Sequence, residues 1–245
     1  MIMTATINGR TAEERTFWRD HTTIALQPVA APSILGLYGF AGATFIVSAN
    51  IVGWYGDNAL TPLVLFPFAA MFGGLAQLLA GMWAYRARDG LATAMHGTWG
   101  AFWLGYGIYH LLVALHTLPG PGNDPVAASA FGFWFVALAA ITWAGTLAAS
   151  AESVAVTAVL ATLAAGSTLL AVALIGGVPV LETIAGYLLI VSALLAWYTA
   201  SGMMLEGTFK RPVFPLGRRG AVRGPEAVAQ LYTYDVDAPG GRVGR

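Results

Sequence analysis

The sequence has no cysteine, and lysine occurs once, at Lys210. Without cysteine, disulfides, thiolate catalysis and cysteine-based metal sites are excluded. Fixed positive charge is missing from most of the chain: there is no Lys or Arg between Asp89 and Lys210. Charged residues make up only 10% of the 245 positions, against about 25% in ordinary soluble domains. A soluble domain needs charge over its whole surface, so a gap of this length predicts a chain solvated by lipid. Each charged group at a bilayer centre costs roughly 2.5–3.5 kcal/mol on insertion scales. No apolar run of signal-peptide type precedes Ala30, so no cleaved targeting segment is expected.

Apolar residues make up 57% of the chain. A membrane span needs about 20 of them in a row, and the sequence divides into six such stretches. Their expected limits are 33–55, 61–85, 91–118, 126–149, 154–175 and 180–205. Turn signals separate them: Gly-Asp-Asn at 56–58, Arg-Ala-Arg-Asp-Gly at 86–90, a Pro/Gly-rich loop at 119–125 and Gly-Gly-Val-Pro at 176–179. The break between the fourth and fifth stretches, Ser-Ala-Glu-Ser at 150–153, is faint. This predicts an all-α polytopic membrane protein. Residues 1–31 form a polar segment, 32–208 a six-helix bundle, and 209–245 a basic, Gly/Pro-rich tail that is extended or partly disordered.

All twelve Lys and Arg fall in three clusters, namely Arg10, Arg15 and Arg19, then Arg86 and Arg88, then Lys210 onwards. An even number of spans separates each pair of clusters, so all twelve share one side. The opposite loops carry Asp57, Asp124 and Glu182. The positive-inside rule then puts both termini in the cytoplasm.

Small residues crowd the first three spans: Gly36, Gly39 and Gly42, then Gly73, Gly74 and Gly81, then Gly97, Gly100, Gly105 and Gly107. In lipid such residues allow close van der Waals contact between helices. They read either as a tightly packed bundle or as a narrow conduit with closely approaching walls. The polar inventory of the spans fits a weak-acid path, which needs neutral donors and no cation to trap an anion. It includes Thr44, Ser48, Asn50, Gln77, Thr93, His96, Thr98, Tyr106 and Tyr109. Gln77, far from any polar end, reads as a pathway amide or an interhelical bond. Asn50 and Ser48, near the end of the first span, line a vestibule or cap the helix. His96 is the strongest proton-carrying candidate, whereas His110 and His116 approach the interface and His21 lies in the tail. Glu152 reads as a turn residue. No HxxH or HExxH pattern occurs, so neither a metal site nor another cofactor is expected. Trp and Tyr at 54, 55, 83, 85, 197 and 198 suit interfacial belts.

Five segments in register resemble a known family. Ala-Pro-Ser-Ile-Leu-Gly-Leu-Tyr-Gly-Phe at 31–40 is similar to the N-P-A-P-L-G-L-x-G-F signature of the acetate uptake transporter family, which includes bacterial succinate–acetate permeases. Phe-Gly-Gly-Leu-Ala-Gln-Leu-Leu-Ala-Gly at 72–81 resembles its G-G-x-A-Q-x-x-A-G run, and Gly-Thr-Trp-Gly-Ala-Phe-Trp at 97–103 its S-Y-G-x-F-W. Gly-Thr-Leu at 145–147 matches a shorter motif, and Phe209 to Gly217 resembles the family's ending. The chain departs from the pattern at Ala31, Ile34 and Ala84.

The resemblance implies a six-span protomer with its own path for acetate and related short monocarboxylates, sometimes succinate. Passage is either coupled to protons or channel-like, and bacterial members are homohexamers. It also implies a hydrophobic constriction at Phe40, Trp99 (Tyr in relatives) and Leu160. The family's partners are small carboxylates, protons and the lipid bilayer, with no nucleic acid and no enzymatic role. Against an intramembrane enzyme, the spans lack paired acids, a Ser–His dyad and bis-His haem spacing. A retinal protein is excluded because no span holds a lysine. A sensor or assembly protein on the same scaffold, without flux, stays open.

Overall fold

The computed structural model describes residues 29–56 and 60–219. Arg10, Arg15, Arg19, His21, Asp57 and everything after Arg219 lie outside the described residues. Nearly all of the described chain belongs to one compact unit that begins at Ala31.

Among the described residues there are six long helical segments and no strand. They are α1 (Ser33–Ile51), α2 (Thr61–Ala87), α3 (Gly90–Ala114), α4 (Pro125–Ala149), α5 (Val154–Gly176) and α6 (Pro179–Phe209). Five of them are long and apolar enough to cross a membrane. The exception is α3, whose Gly, His, Trp and Tyr dilute its apolarity. Many large apolar side chains point outward, among them Phe68, Met71, Leu147 and Val126, as lipid-facing walls require.

The helix ends follow local chemistry. Asp89 and Asp124 cap α3 and α4 by accepting from the backbone N–H three residues on, both at 2.8 Å, and Ser153 caps α5. Pro62, Pro125 and Pro179 occupy first turns, where the missing N–H costs little. α1 stops four residues before the expected limit. Gly53 takes φ +76° and Gly56 φ +118°, and Tyr55 turns back to donate its hydroxyl to the Ile46 carbonyl at 2.8 Å. α3 likewise ends before residue 118, where His116 adopts a left-handed φ of 55°.

α2 contains a feature that apolar periodicity does not reveal. Pro67 sits inside it, and the following stretch Ala69–Ala76 is a π-helix. Proline removes a helical N–H and crowds the preceding turn, and the wider winding that follows presents Gly73 and Gly74 to α3. A Cβ at Gly74 would meet the Leu104 side chain at 2.7 Å. Gly81 faces the Gly97 backbone and Gly100 the Leu78 backbone, each with room for hydrogen only. The small residues of α2 and α3 therefore form a backbone-to-backbone seam, although Gly97 and Gly105 themselves point into open space.

The tail does not simply run free after α6. Residues 211–219 form no helix and are fastened across the α4–α5 turn. Val154 and Ala155 donate their N–H groups to the Gly217 and Leu216 carbonyls at 3.0 and 3.1 Å, and Ser153 donates its hydroxyl to Leu216 at 2.8 Å. Arg219 donates to the Ser150 carbonyl, and Arg218 pairs with Glu206 at 2.6 Å. Leu216 is buried against Gly202, and Phe214 stacks on Tyr198. This strap gives the faint break at 150–153 its definition.

Candidate functional site

α1, α3 and α5 begin at one end of the bundle, called here the near end, and finish at the far end. Near-end residues Ser33, Asp89, Glu152 and Met203 line one cavity of about 110 Å³, so the start of α1, both intervening turns and the end of α6 meet there. Deeper along the same helices, Leu37, Met95, His96 and Leu160 complete its wall. One turn further stand Phe40 and Trp99, edge to face with ring centroids 6.2 Å apart. Beyond them Thr44, Ser48, Trp103 and Leu163 enclose a central cavity of about 20 Å³. Asn50, Tyr55, His110 and Glu182 then line a far-end cavity of about 390 Å³. Tyr106 lines both of the last two. The register along all three helices thus orders near cavity, aromatic pair, central cavity and far cavity.

Phe40, Trp99 and Leu160 are buried in one apolar cluster. Trp99 is fixed from behind: its Nε1 donates to Thr142 Oγ1 at 3.0 Å, and Thr142 donates to the Leu138 carbonyl at 2.7 Å. Buried polar groups without partners are costly, so this pair locks the ring's orientation as well as satisfying it. Thr142 carried no signal in the sequence, because a threonine on an apolar helix usually bonds only its own backbone.

His96 is buried beside the near-end cavity, and its Nδ1 has no hydrogen-bond partner. Glu152 does sit in a turn, but its side chain also faces this cavity, across from Asp89. Its carboxyl is held above the usual carboxylate range, first by burial and then by the Asp89 charge. Asn50 lines the far-end cavity and donates to the Tyr55 carbonyl at 2.9 Å. Thr44 and Ser48 are buried on the central cavity. Gln77 is not brought to any of these three cavities; it is buried where the π-helix ends, its Oε1 without a partner. Among the described residues no group of three or more His, Asp or Glu could hold a metal.

Comparison with known proteins gives a consistent pattern. The model described as "GPR1/FUN34/yaaH family" matches residues 15–217. The meiotically up-regulated gene 86 protein of Schizosaccharomyces pombe is 31% identical over 80% of this chain and 66% of its own length. The succinate-acetate/proton symporter SatP of Escherichia coli is 29% identical over 77% of this chain and 96% of its own. A solved structure of the bacterial acetate channel SatP superposes with a TM-score of 0.70 at 24% identity, over 77% of this chain and 99% of that one. The fold is therefore shared with that channel.

Proposed function

Because this chain belongs to the GPR1/FUN34/yaaH family, and is a multi-pass membrane protein by its apolar helices, we propose that it conducts acetate and similar short monocarboxylates across the cell membrane. The observation that carries this reading is the ordered series of cavities along α1, α3 and α5, interrupted by Phe40, Trp99 and Leu160. Acids approach the constriction from a near-end cavity of about 110 Å³ on one side and, through the narrow central cavity, from a far-end cavity of about 390 Å³ on the other. The apolar trio excludes water and ions when closed. The described path holds no Lys or Arg, so an anion finds donors but no charge that would trap it. Thr44, Ser48, Asn50 and His96 are among the polar members of the route, and Gln77 supports the α1–α2 wall beside it.

In this reading α3 crosses the membrane as the sixth span, its polar side turned to the path. Arg86, Arg88, Lys210, Arg211, Arg218 and Arg219 mark the near end as cytoplasmic. Protons accompany the substrate, and succinate is a poorer passenger than acetate. Each protomer of a homohexamer has its own path, as the family resemblance implies; native mass spectrometry of the purified protein tests that assembly.

Radiolabelled acetate uptake into proteoliposomes tests the function. The expected result is acetate flux above protein-free liposomes, faster at acidic pH, and outcompeted by propionate sooner than by citrate. Folded protein with no flux would overturn it and leave a sensor or assembly role on the same scaffold.

A further inference from the structure

The central cavity holds about 20 Å³, close to the space of one water by that measure. A short acid therefore passes between the far-end cavity and the constriction only if part of the wall gives way. Val47 on α1 and Trp103 and Tyr106 on α3 line this cavity. All three belong to one buried cluster with Leu65 and Ala69 of α2. Their freedom to retreat therefore depends on α2.

At that level α2 is built to yield. Among the described helices it alone has both an interior proline and a π segment. Pro67 offers no N–H to the Leu63 carbonyl, and its ring crowds the same turn. The π winding that follows is wider than an α-helix. A local return to α winding turns one half of the helix relative to the other. Phe66 and Ala70 lie on Gly107 of α3, where a Cβ would meet them at 2.9 and 2.7 Å, and this contact supplies a pivot.

The two halves are held unequally. In Thr61–Phe68 only Leu65 is buried, while Leu63, Val64 and Phe68 are exposed. In Gln77–Ala87, Gln77, Ala80, Gly81 and Ala84 are all buried, and Gly81 lies on the Gly97 backbone. A segment with few buried contacts opens at low cost. Two buried polar atoms without partners adjoin the π segment: Gln77 Oε1 at its end, and Nε1 of Trp103, whose ring lies on Gly73. Such orphans are costly, which narrows the gap to any winding that pairs them.

We propose that Pro67 and the π segment Ala69–Ala76 form a hinge on which the first half of α2, Thr61–Phe68, swings outward. Val47, Trp103 and Tyr106 then retreat, and the passage between the far-end cavity and the constriction widens. The hinge rests on the transport reading above and adds the moving part that a passage this narrow requires. Acetate inside the widened passage favours the open form, because it does not fit the closed one.

Fluorine NMR in nanodiscs tests it. The chain has no native cysteine, so Leu63→Cys and Met82→Cys each accept one trifluoromethyl label, on the first and second halves of α2. Acetate should redistribute the signal at 63 between two positions and leave the signal at 82 unchanged; sodium chloride at equal ionic strength should move neither. Pro67→Ala restores the missing N–H and should collapse the signal at 63 to one position and slow acetate uptake several-fold. If liposomes take up acetate while the signal at 63 ignores it, the hinge is overturned and the transport reading stands. Uptake unchanged in a Pro67→Ala variant whose signal has collapsed also overturns the hinge. If the signal at 63 answers acetate as described but liposomes show no flux, the hinge stands and the transport reading falls.

Discussion

The imidazole of His96 lies face-on against the backbone of Gly36: a Cβ at that glycine would sit 2.5–2.6 Å from three of the ring atoms. The ring can reach the near-end cavity only because residue 36 has no side chain. Gly36→Ala should therefore push His96 out of place and narrow the vestibule. Overpacking of this kind costs about 1–3 kcal/mol. A lowered thermal midpoint together with slower acetate uptake is expected; a variant with both values unchanged would show that the ring moves aside freely.

Phe40 separates two explanations of the aromatic pair. Truncating an ordinary core aromatic costs about 3–5 kcal/mol, and yield and activity should then fall together. Opening a constriction should leave folded protein with faster passage or a wider substrate range. Phe40→Ala is expected to fold and to admit butyrate. Unchanged selectivity in a well-folded variant would remove this ring from the gate.

Glu152 supplies a pH dependence. Its carboxyl is raised above the ordinary value by burial and by Asp89, so the fold favours its protonated form. Above the raised value its charge opposes the fold and repels carboxylates at the near-end mouth. Below it, both effects vanish. Nearby, Arg219 bonds the Ser150 carbonyl of the adjoining turn and Arg218 is paired with Glu206. Glu152→Gln should raise the thermal midpoint slightly at neutral pH but not in acid. It should also flatten part of the rise in uptake as near-side pH falls. Uptake measured against internal pH checks the second effect, and an unaltered profile would assign the pH response elsewhere.

The strap divides into parts of unequal weight. The Arg218–Glu206 pair is partly exposed, at 43% and 26%, and such pairs contribute about 0–1 kcal/mol. Leu216 is buried, and Leu→Ala in a core costs about 2–5 kcal/mol. Arg218→Ala should thus be nearly silent, while Leu216→Ala should expose residues 211–219 to limited proteolysis. Equal protease resistance in both variants would contradict this ranking.

Much of this architecture was legible in the sequence, for reasons tied to particular residues. Asp89, Asp124 and the prolines at helix starts announce helix boundaries through local chemistry, and those boundaries hold within a few residues. Phe40, Trp99 and Leu160 belong to one buried cluster, and their role as a constriction is part of the proposed function. What escaped was relational. The π-helix after Pro67 is a change of backbone winding, and apolar periodicity has no term for it. Gln77, within a matched motif, lines none of the three cavities and is buried at the end of the π-helix. A composition rich in Gly, Pro and Arg indicated an extended tail, but not what the tail would bind.

That clasp also has a bearing on the order in which the protein is made. Ser153 is joined to Leu216 across 63 positions and Ser150 to Arg219 across 69. On a ribosome, the turn between α4 and α5 emerges long before the residues that complete it. All the apolar segments can be handed to the bilayer while the N–H groups of Val154 and Ala155 still await their acceptors. A chain that stops short after Phe209 would be fully inserted and still unfinished at the very turn that carries Glu152 to the vestibule. Residues 216–219 can thus close that turn only after all six helices have been made.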